Sequence, residues 1–118
     1  MKKIPFINLT PSSSNEEKLL VSVFKKVLNS GTYIKGSEVS LFEKEFSVFC
    51  STKYCVGVGS GLDALYLILK SIGIGDGDEV IVPAHTFIAT WFSVSNTGAK
   101  VVPVEPEKSS YNINPDLV

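Results

Sequence analysis

The chain has no arginine; its eleven basic residues are all lysines, set against twelve acids and a single histidine. Without a guanidinium, these residues can supply no bidentate clamp on a carboxylate or a phosphate. Two cysteines, Cys50 and Cys55, are too few for a disulfide framework. With one histidine they also fall short of the four ligands of a closed zinc site, so a reduced, buried thiol pair is expected and no metal. No apolar run is long enough to span a bilayer. Met1-Lys2-Lys3 leads into Ile4-Pro5-Phe6-Ile7-Asn8, which lacks the apolar core of a signal peptide; a cytoplasmic location is expected. A net charge of −1 over 118 residues gives no electrostatic draw toward nucleic acid or an anionic membrane. Internal repeats and low-complexity tracts are also missing.

What is present begins as helices. An extended leader over residues 1–13 ends in Pro11 and serines. Ser14 and Glu17 form a capping-box pattern, and Leu19, Leu20, Val23, Phe24, Val27 and Leu28 follow at helical spacing, predicting a helix over 15–29. Lys25 and Lys26 suit its C-terminal end, and Gly31 stops it. After the loop Thr32-Tyr33-Ile34-Lys35-Gly36, Ser37 can cap a second helix with Glu38 in its first turn. There Val39, Phe42, Phe46 and Phe49 form one apolar stripe, read as core rather than as a ligand box.

From Tyr54 the pattern changes to alternating strands and helices. Strand 54–58 leads through Gly59-Ser60-Gly61 into helix 61–72, which is apolar nearly all round and expected to be well buried. A turn cluster over 73–78 precedes the buried strand Glu79–Pro83. Thr86 can cap a helix over 87–97, Gly98 ends it, and Lys100–Glu105 forms a third strand. This order is the signature of parallel βαβ units. Asn114-Pro115-Asp116 reads as another helix start. Three strands make an incomplete parallel sheet with open edges, so the chain is expected to be the N-terminal piece of a larger α/β protein. Residues 1–53 then form a leader and two helices, and residues 54–118 begin the large domain.

The run Val56-Gly57-Val58-Gly59-Ser60-Gly61-Leu62-Asp63-Ala64-Leu65 aims unpaired backbone N–H groups and a helix's positive end at one point, a setting suited to a phosphate. A plain tight strand–helix connection is the alternative. The run is not a dinucleotide fingerprint, since Ala64 holds the third glycine's place, and no Lys-Ser/Thr pair makes it a P-loop. Donors would be the N–H groups of Gly61 and Leu62, and of Asp63 as a further option, helped by the Ser60 hydroxyl. The Asp63 carboxylate must then point away. At the end of the next strand, Pro83-Ala84-His85-Thr86-Phe87 offers an imidazole, a hydroxyl and a ring. The ring either packs in the core or stacks on a flat cofactor.

Together these stretches carry a resemblance. Ile4-Pro5-Phe6, Ser30–Val39, Val56–Leu65, Gly75–Thr90, and Val104-Glu105-Pro106 with Tyr111-Asn112-Ile113 match the N-terminal part of the DegT/DnrJ/StrS family of pyridoxal-phosphate-dependent sugar aminotransferases. The resemblance implies the N-terminal part of the large domain of a fold-type I transferase, an incomplete three-layer αβα sheet. It implies cofactor phosphate on the turn amides of Ser60, Gly61 and Leu62, and Phe87 stacked on the pyridine ring. Leu62 lacks the hydroxyl of the threonine that many members carry there. With Ala89-Thr90-Trp91 and Val104-Glu105-Pro106, it is similar to the branch acting on dTDP-3-keto-6-deoxyhexoses. Tyr33 lies in a loop implied to approach the partner subunit's active site, and so substrate, in a homodimer, or is an anchoring surface tyrosine. The implied reaction moves an amino group from glutamate, or glutamine, to a nucleotide-linked keto sugar. None of the lysines here fits the Schiff-base motif, so no catalytic residue is assigned and the chain alone is expected not to turn over. Two other readings are a stand-alone phosphate- or nucleotide-binding module and a non-catalytic piece that docks onto an intact homologue.

Overall fold

A computed structural model describes residues 4–10 and 12–118 and divides into two compact units, Met1–Gly57 and Val58–Val118. Met1-Lys2-Lys3 and Pro11 of the expected leader lie outside the described residues; residues 4–10 form neither helix nor strand.

In the first unit α1 spans Ser14–Ser30. Its cap is Ser13 rather than Ser14: the Ser13 hydroxyl accepts the Glu16 N–H at 3.2 Å. Consecutive serines allow two registers, and Glu16 decides between them. Its Oε2 accepts the Ser12 N–H at 2.6 Å and also the Ser12 hydroxyl. The hydroxyl first, and then the N–H, hold the Glu16 carboxyl below its ordinary pKa. Gly31 closes the helix in the left-handed conformation, φ 66°, its N–H donating to Leu28. The last turn contains no basic residue; Lys26 instead pairs with Glu38 at 2.7 Å.

The second helix, α2, spans Ser37–Phe49 and is capped by Gly36, not Ser37. The Gly36 carbonyl accepts the N–H groups of Val39 and Ser40. A Cβ at Gly36 would meet the Thr32 carbonyl at 3.0 Å, so the close turn before the helix selects glycine. Phe42 stacks on Phe46 with centroids 5.3 Å apart, and Phe49 follows at 6.0 Å. The stripe is not core: Phe42 is 54% and Phe49 82% exposed. Helical spacing identifies a face that seeks cover, not the cover itself. The thiols also depart from expectation. Both are free, but Cys50, at the end of α2, is exposed and Cys55 half-buried.

The expected strand over 54–58 is absent. A strand exists only when its backbone groups join a ladder; here the Gly57 N–H donates to Glu43 Oε1 at 2.7 Å. Among the described residues the sheet therefore has two strands, not three.

The second unit runs α3 (Gly61–Ser71), β1 (Glu79–Pro83), α4 (Ile88–Ser95), β2 (Lys100–Val104) and a closing 3-10 turn, Pro115–Leu117. In that turn Asn114 Oδ1 accepts the Asp116 N–H, as its N-cap pattern anticipates. Strands β1 and β2 pair in parallel, from Glu79 opposite Lys100 to Pro83 opposite Val104. The Lys100 N–H donates to Asp78 and the Ala84 N–H to Val104, each at 2.8 Å. By the two-residue alternation of a strand, Lys100, Val102 and Val104 turn their backbone groups toward β1, and Val101 and Pro103 turn theirs outward.

Val82, Val94 and Ala99 form the core, with Leu69, Ile74, Val80, Trp91 and Val101 packed around it. Helix α4 contacts both strands as well as α3. Ser93 and Thr97 are buried, and their hydroxyls each donate to a carbonyl one turn back at 2.7 Å. Helix α3 is less covered than its composition suggests: it has no fully buried residue, and Leu67 and Ile68 are half exposed. Helix α4 starts after Phe87, so Thr86 is not its cap, and a turn over Asn96-Thr97-Gly98 follows its end at Ser95. Gly98 has φ 92°, and a Cβ there would overlap the Asp76 carboxylate. Among the described residues no helix is long and apolar enough to cross a membrane, and no side-chain group could hold a metal ion.

Candidate functional site

The glycine turn leads into the start of α3. Ser60 is the N-cap, with extended backbone, and its carbonyl accepts the Ala64 N–H at 3.0 Å. The N–H groups of Gly61 and Leu62, the first two of the helix, meet no acceptor among the described residues. They are the orphan donors that any helix start carries, at the positive end of its dipole. Space beside Gly61 is open: a Cβ there would have nothing within 4 Å.

Ser60 and Asp63 bond each other twice. The Asp63 N–H donates to Ser60 Oγ at 3.1 Å, and the Ser60 hydroxyl donates to Asp63 Oδ2 at 2.8 Å. Two groups considered above as anion donors, the Ser60 hydroxyl and the Asp63 N–H, are thus paired within the turn. Gly59 makes this possible, because a Cβ there would stand 3.0 Å from Asp63 Oδ2.

One cleft of about 640 Å³ joins this turn to the start of α4; Ser60, Gly61, Leu62 and Phe87 all line it, with Ala64, Leu65, Ala89 and Thr90. That volume suits a small organic ligand. Asp63 is not among the lining residues, so its carboxylate faces elsewhere, as an anion in the cleft requires. Phe87 is 77% exposed. Its carbonyl accepts the Thr90 N–H at 3.0 Å, and four residues upstream the Pro83 carbonyl accepts from Trp91 Nε1 at 3.3 Å. The ring is therefore presented rather than packed away. No lysine lines the cleft, so its lining draws positive potential from the starts of α3 and α4.

His85 and Thr86 are not among the lining residues. His85 tilts against Tyr111 with centroids 6.1 Å apart, and the Thr86 hydroxyl is 3.1 Å from that of Thr90. Tyr33 belongs to the first unit, where its hydroxyl donates to the Leu28 carbonyl at 3.3 Å. Sequence reasoning passed over Ala64, Leu65, Ala89 and Thr90 as lining residues. A signal existed: Leu65 stands one helical turn beyond Gly61, and Thr90 one turn beyond Thr86. The arrangement can hold a phosphate ester and one face of a flat ring. It offers no general base and no amine nucleophile of its own.

The model of the DegT/DnrJ/EryC1/StrS aminotransferase family matches residues 14–118. The chain is 49% identical over 115 residues to the erythromycin biosynthesis sensory transduction protein EryC1 of Saccharopolyspora erythraea. It is 47% identical over 116 residues to the dTDP-3-amino-3,4,6-trideoxy-alpha-D-glucose transaminase of Streptomyces venezuelae. Each match covers 98% of this chain and 31% of the relative, so the chain spans about a third of the length of these curated relatives. Among solved structures, that of S. venezuelae DesV in complex with a ketimine intermediate superposes with a TM-score of 0.92 at 45% identity, over 99% of this chain and 32% of that one. The Bacillus subtilis NtdA structure with bound cofactor PMP gives a TM-score of 0.86 at 28% identity, over 99% and 28%. The fold is thus part of the α/β fold of fold-type I aminotransferases.

Proposed function

The chain belongs to the DegT/DnrJ/EryC1/StrS aminotransferase family, and from that premise we propose that it supplies the phosphate cradle and one ring face of a pyridoxal-phosphate seat. The observation that carries the reading is the shared cleft: Ser60, Gly61 and Leu62 line it together with Phe87. The phosphate would meet the free N–H groups of Gly61 and Leu62 at the positive end of α3, the setting that favours an anion. Phe87 would cover one face of the pyridine ring and keep water from it. Leu62 brings an apolar side chain where a hydroxyl would add a further donor. When bound, pyridoxal phosphate supplies the electron-withdrawing ring that lets an amino group pass between carbon skeletons.

The whole reaction in this reading is amination of a dTDP-linked keto-deoxysugar with glutamate as donor, carried out by a homodimer. Its support is the transaminase activity for which the S. venezuelae relative, at 47% identity, is named and the motifs around Leu62, Trp91 and Glu105. The Schiff-base lysine is assigned to the part of the family's length that these 118 residues do not span. Tyr33 is assigned to the sugar side of the partner subunit's site.

Pyridoxine 5′-phosphate tests the seat without forming an imine on surface lysines. Titrated against Trp91 fluorescence, it should bind at least about tenfold tighter than pyridoxine, because charged hydrogen bonds are lost with the phosphate. Equal affinities would overturn the reading.

A further inference from the structure

We infer that Gly59, Ser60 and Asp63 form a latch that keeps the Ser60 hydroxyl off a bound phosphate, so that backbone N–H groups alone hold it and Asp63 limits how tightly. The inference rests on the phosphate seat proposed above and deepens it. Its starting point is a count of what one hydroxyl can do. Ser60 Oγ has one proton, and that proton is given to Asp63 Oδ2 at 2.8 Å. An ionised carboxylate only accepts, so the direction of this bond is fixed. One lone pair of Oγ is taken by the Asp63 N–H at 3.1 Å. What Ser60 Oγ has left for a neighbour is a lone pair, which a phosphate oxygen repels.

Asp63 therefore acts twice against a phosphate. Its carboxylate withdraws one side-chain donor, the Ser60 hydroxyl, from the cradle, while Ser60 Oγ as N-cap occupies the Asp63 N–H. It also places a negative charge in the first turn of the helix whose dipole attracts the anion. Space for that charge is provided by Gly59: a side chain there would press on Asp63 Oδ2 from 3.0 Å. The carboxylate sits behind the turn and outside the cleft lining, so its effect is on affinity rather than on shape. The result is a seat with two free amides that holds a phosphate firmly enough to orient it and weakly enough to exchange it. Ser60 and Asp63 are positioning residues in this account, since their side chains do not touch the ligand.

A double-mutant cycle read by pyridoxine 5′-phosphate affinity in the full chain tests the latch. Ser60→Ala alone should cost less affinity than the same change in the Asp63→Ala background, because in the unmutated turn the hydroxyl is spent on Asp63. Asp63→Ala should tighten binding at least about fivefold by freeing the hydroxyl and removing the charge; in that background Ser60→Ala should cost about tenfold, as a charged hydrogen bond is lost. Asp63→Asn keeps the shape of the turn and should tighten binding by a smaller factor that shrinks with added salt. Circular dichroism of each variant reports whether α3 persists, and Asp63→Asn stands as the measure if the alanine variants lose it. An equal cost of Ser60→Ala in both backgrounds, or no gain with Asp63→Asn, would overturn the latch while leaving the seat intact. If the unmutated chain binds pyridoxine 5′-phosphate no better than pyridoxine, the seat fails and the latch with it.

Discussion

Glu16 shows how much a single exposed carboxylate can organise. It takes two donors from Ser12 while its own N–H is held by Ser13, so one residue ties the approach to α1 to its first turn. These bonds lower its pKa in the folded state. The unfolded chain therefore binds the proton at higher pH than the folded chain. The stabilisation is complete above the ordinary carboxylate range and is lost as pH falls through the lowered folded value. By NMR titration, the Glu16 midpoint should lie below that of an unstructured glutamate and should rise in Ser12→Ala, which removes the largest cause. A midpoint indifferent to Ser12→Ala would contradict the assigned bond. The same scale explains a missed cap. With serines at 12, 13 and 14, the sequence offers several hydroxyls for one helix start, and only the reach of Glu16 selects among them.

Elements differ in how far their sequences determine them. The bounds of α1 and the start of α2 were readable to about a residue, since spacing and stop signals such as Gly31 act locally. β1 and β2 were readable too: each is a short β-branched run, and the turn before each contains a glycine. Segment 54–58 has a similar composition but forms no strand. Being a strand is a relation with a neighbour, and Gly57 finds a carboxylate instead. The candidate site was legible in parts. Gly61, Leu62 and Phe87 were evident separately, but their meeting across one cleft depends on α4 packing on α3, which no local pattern encodes. Helix α4 is therefore the element to test. Val94, 2% exposed, joins it to Val82 and Ala99. Val94→Ala should lower stability by about 2 kcal/mol, from two lost methyls and a partly collapsed cavity, read as a shifted urea midpoint. A shift near zero would mean that the core does not depend on this contact.

At the level of the whole molecule, apolar surface is the conspicuous quantity. Phe24, Phe42, Phe49, Ile68 and Phe92 are all at least half exposed, and parallel sheets are normally covered on both faces. Sequence periodicity identified these faces correctly as apolar but could not report what would lie on them. The 118-residue chain by itself is expected to bind 8-anilinonaphthalene-1-sulfonate and to melt over a broad range in far-UV circular dichroism. A sharp two-state transition without dye binding would show that the exposed faces cost it little. Where further strands could join is shaped by two residues already described. Pro103 turns its missing N–H to the outer side of β2, so Val101 is the lone donor within that edge; Pro83 does the same at the last position of β1, after Glu79 and Ile81 have kept theirs. A newcomer beside β2 would find one donor before the gap, and one beside β1 would find two. Each open edge thus carries a ring that cannot donate, and the β1 edge offers the longer run before it.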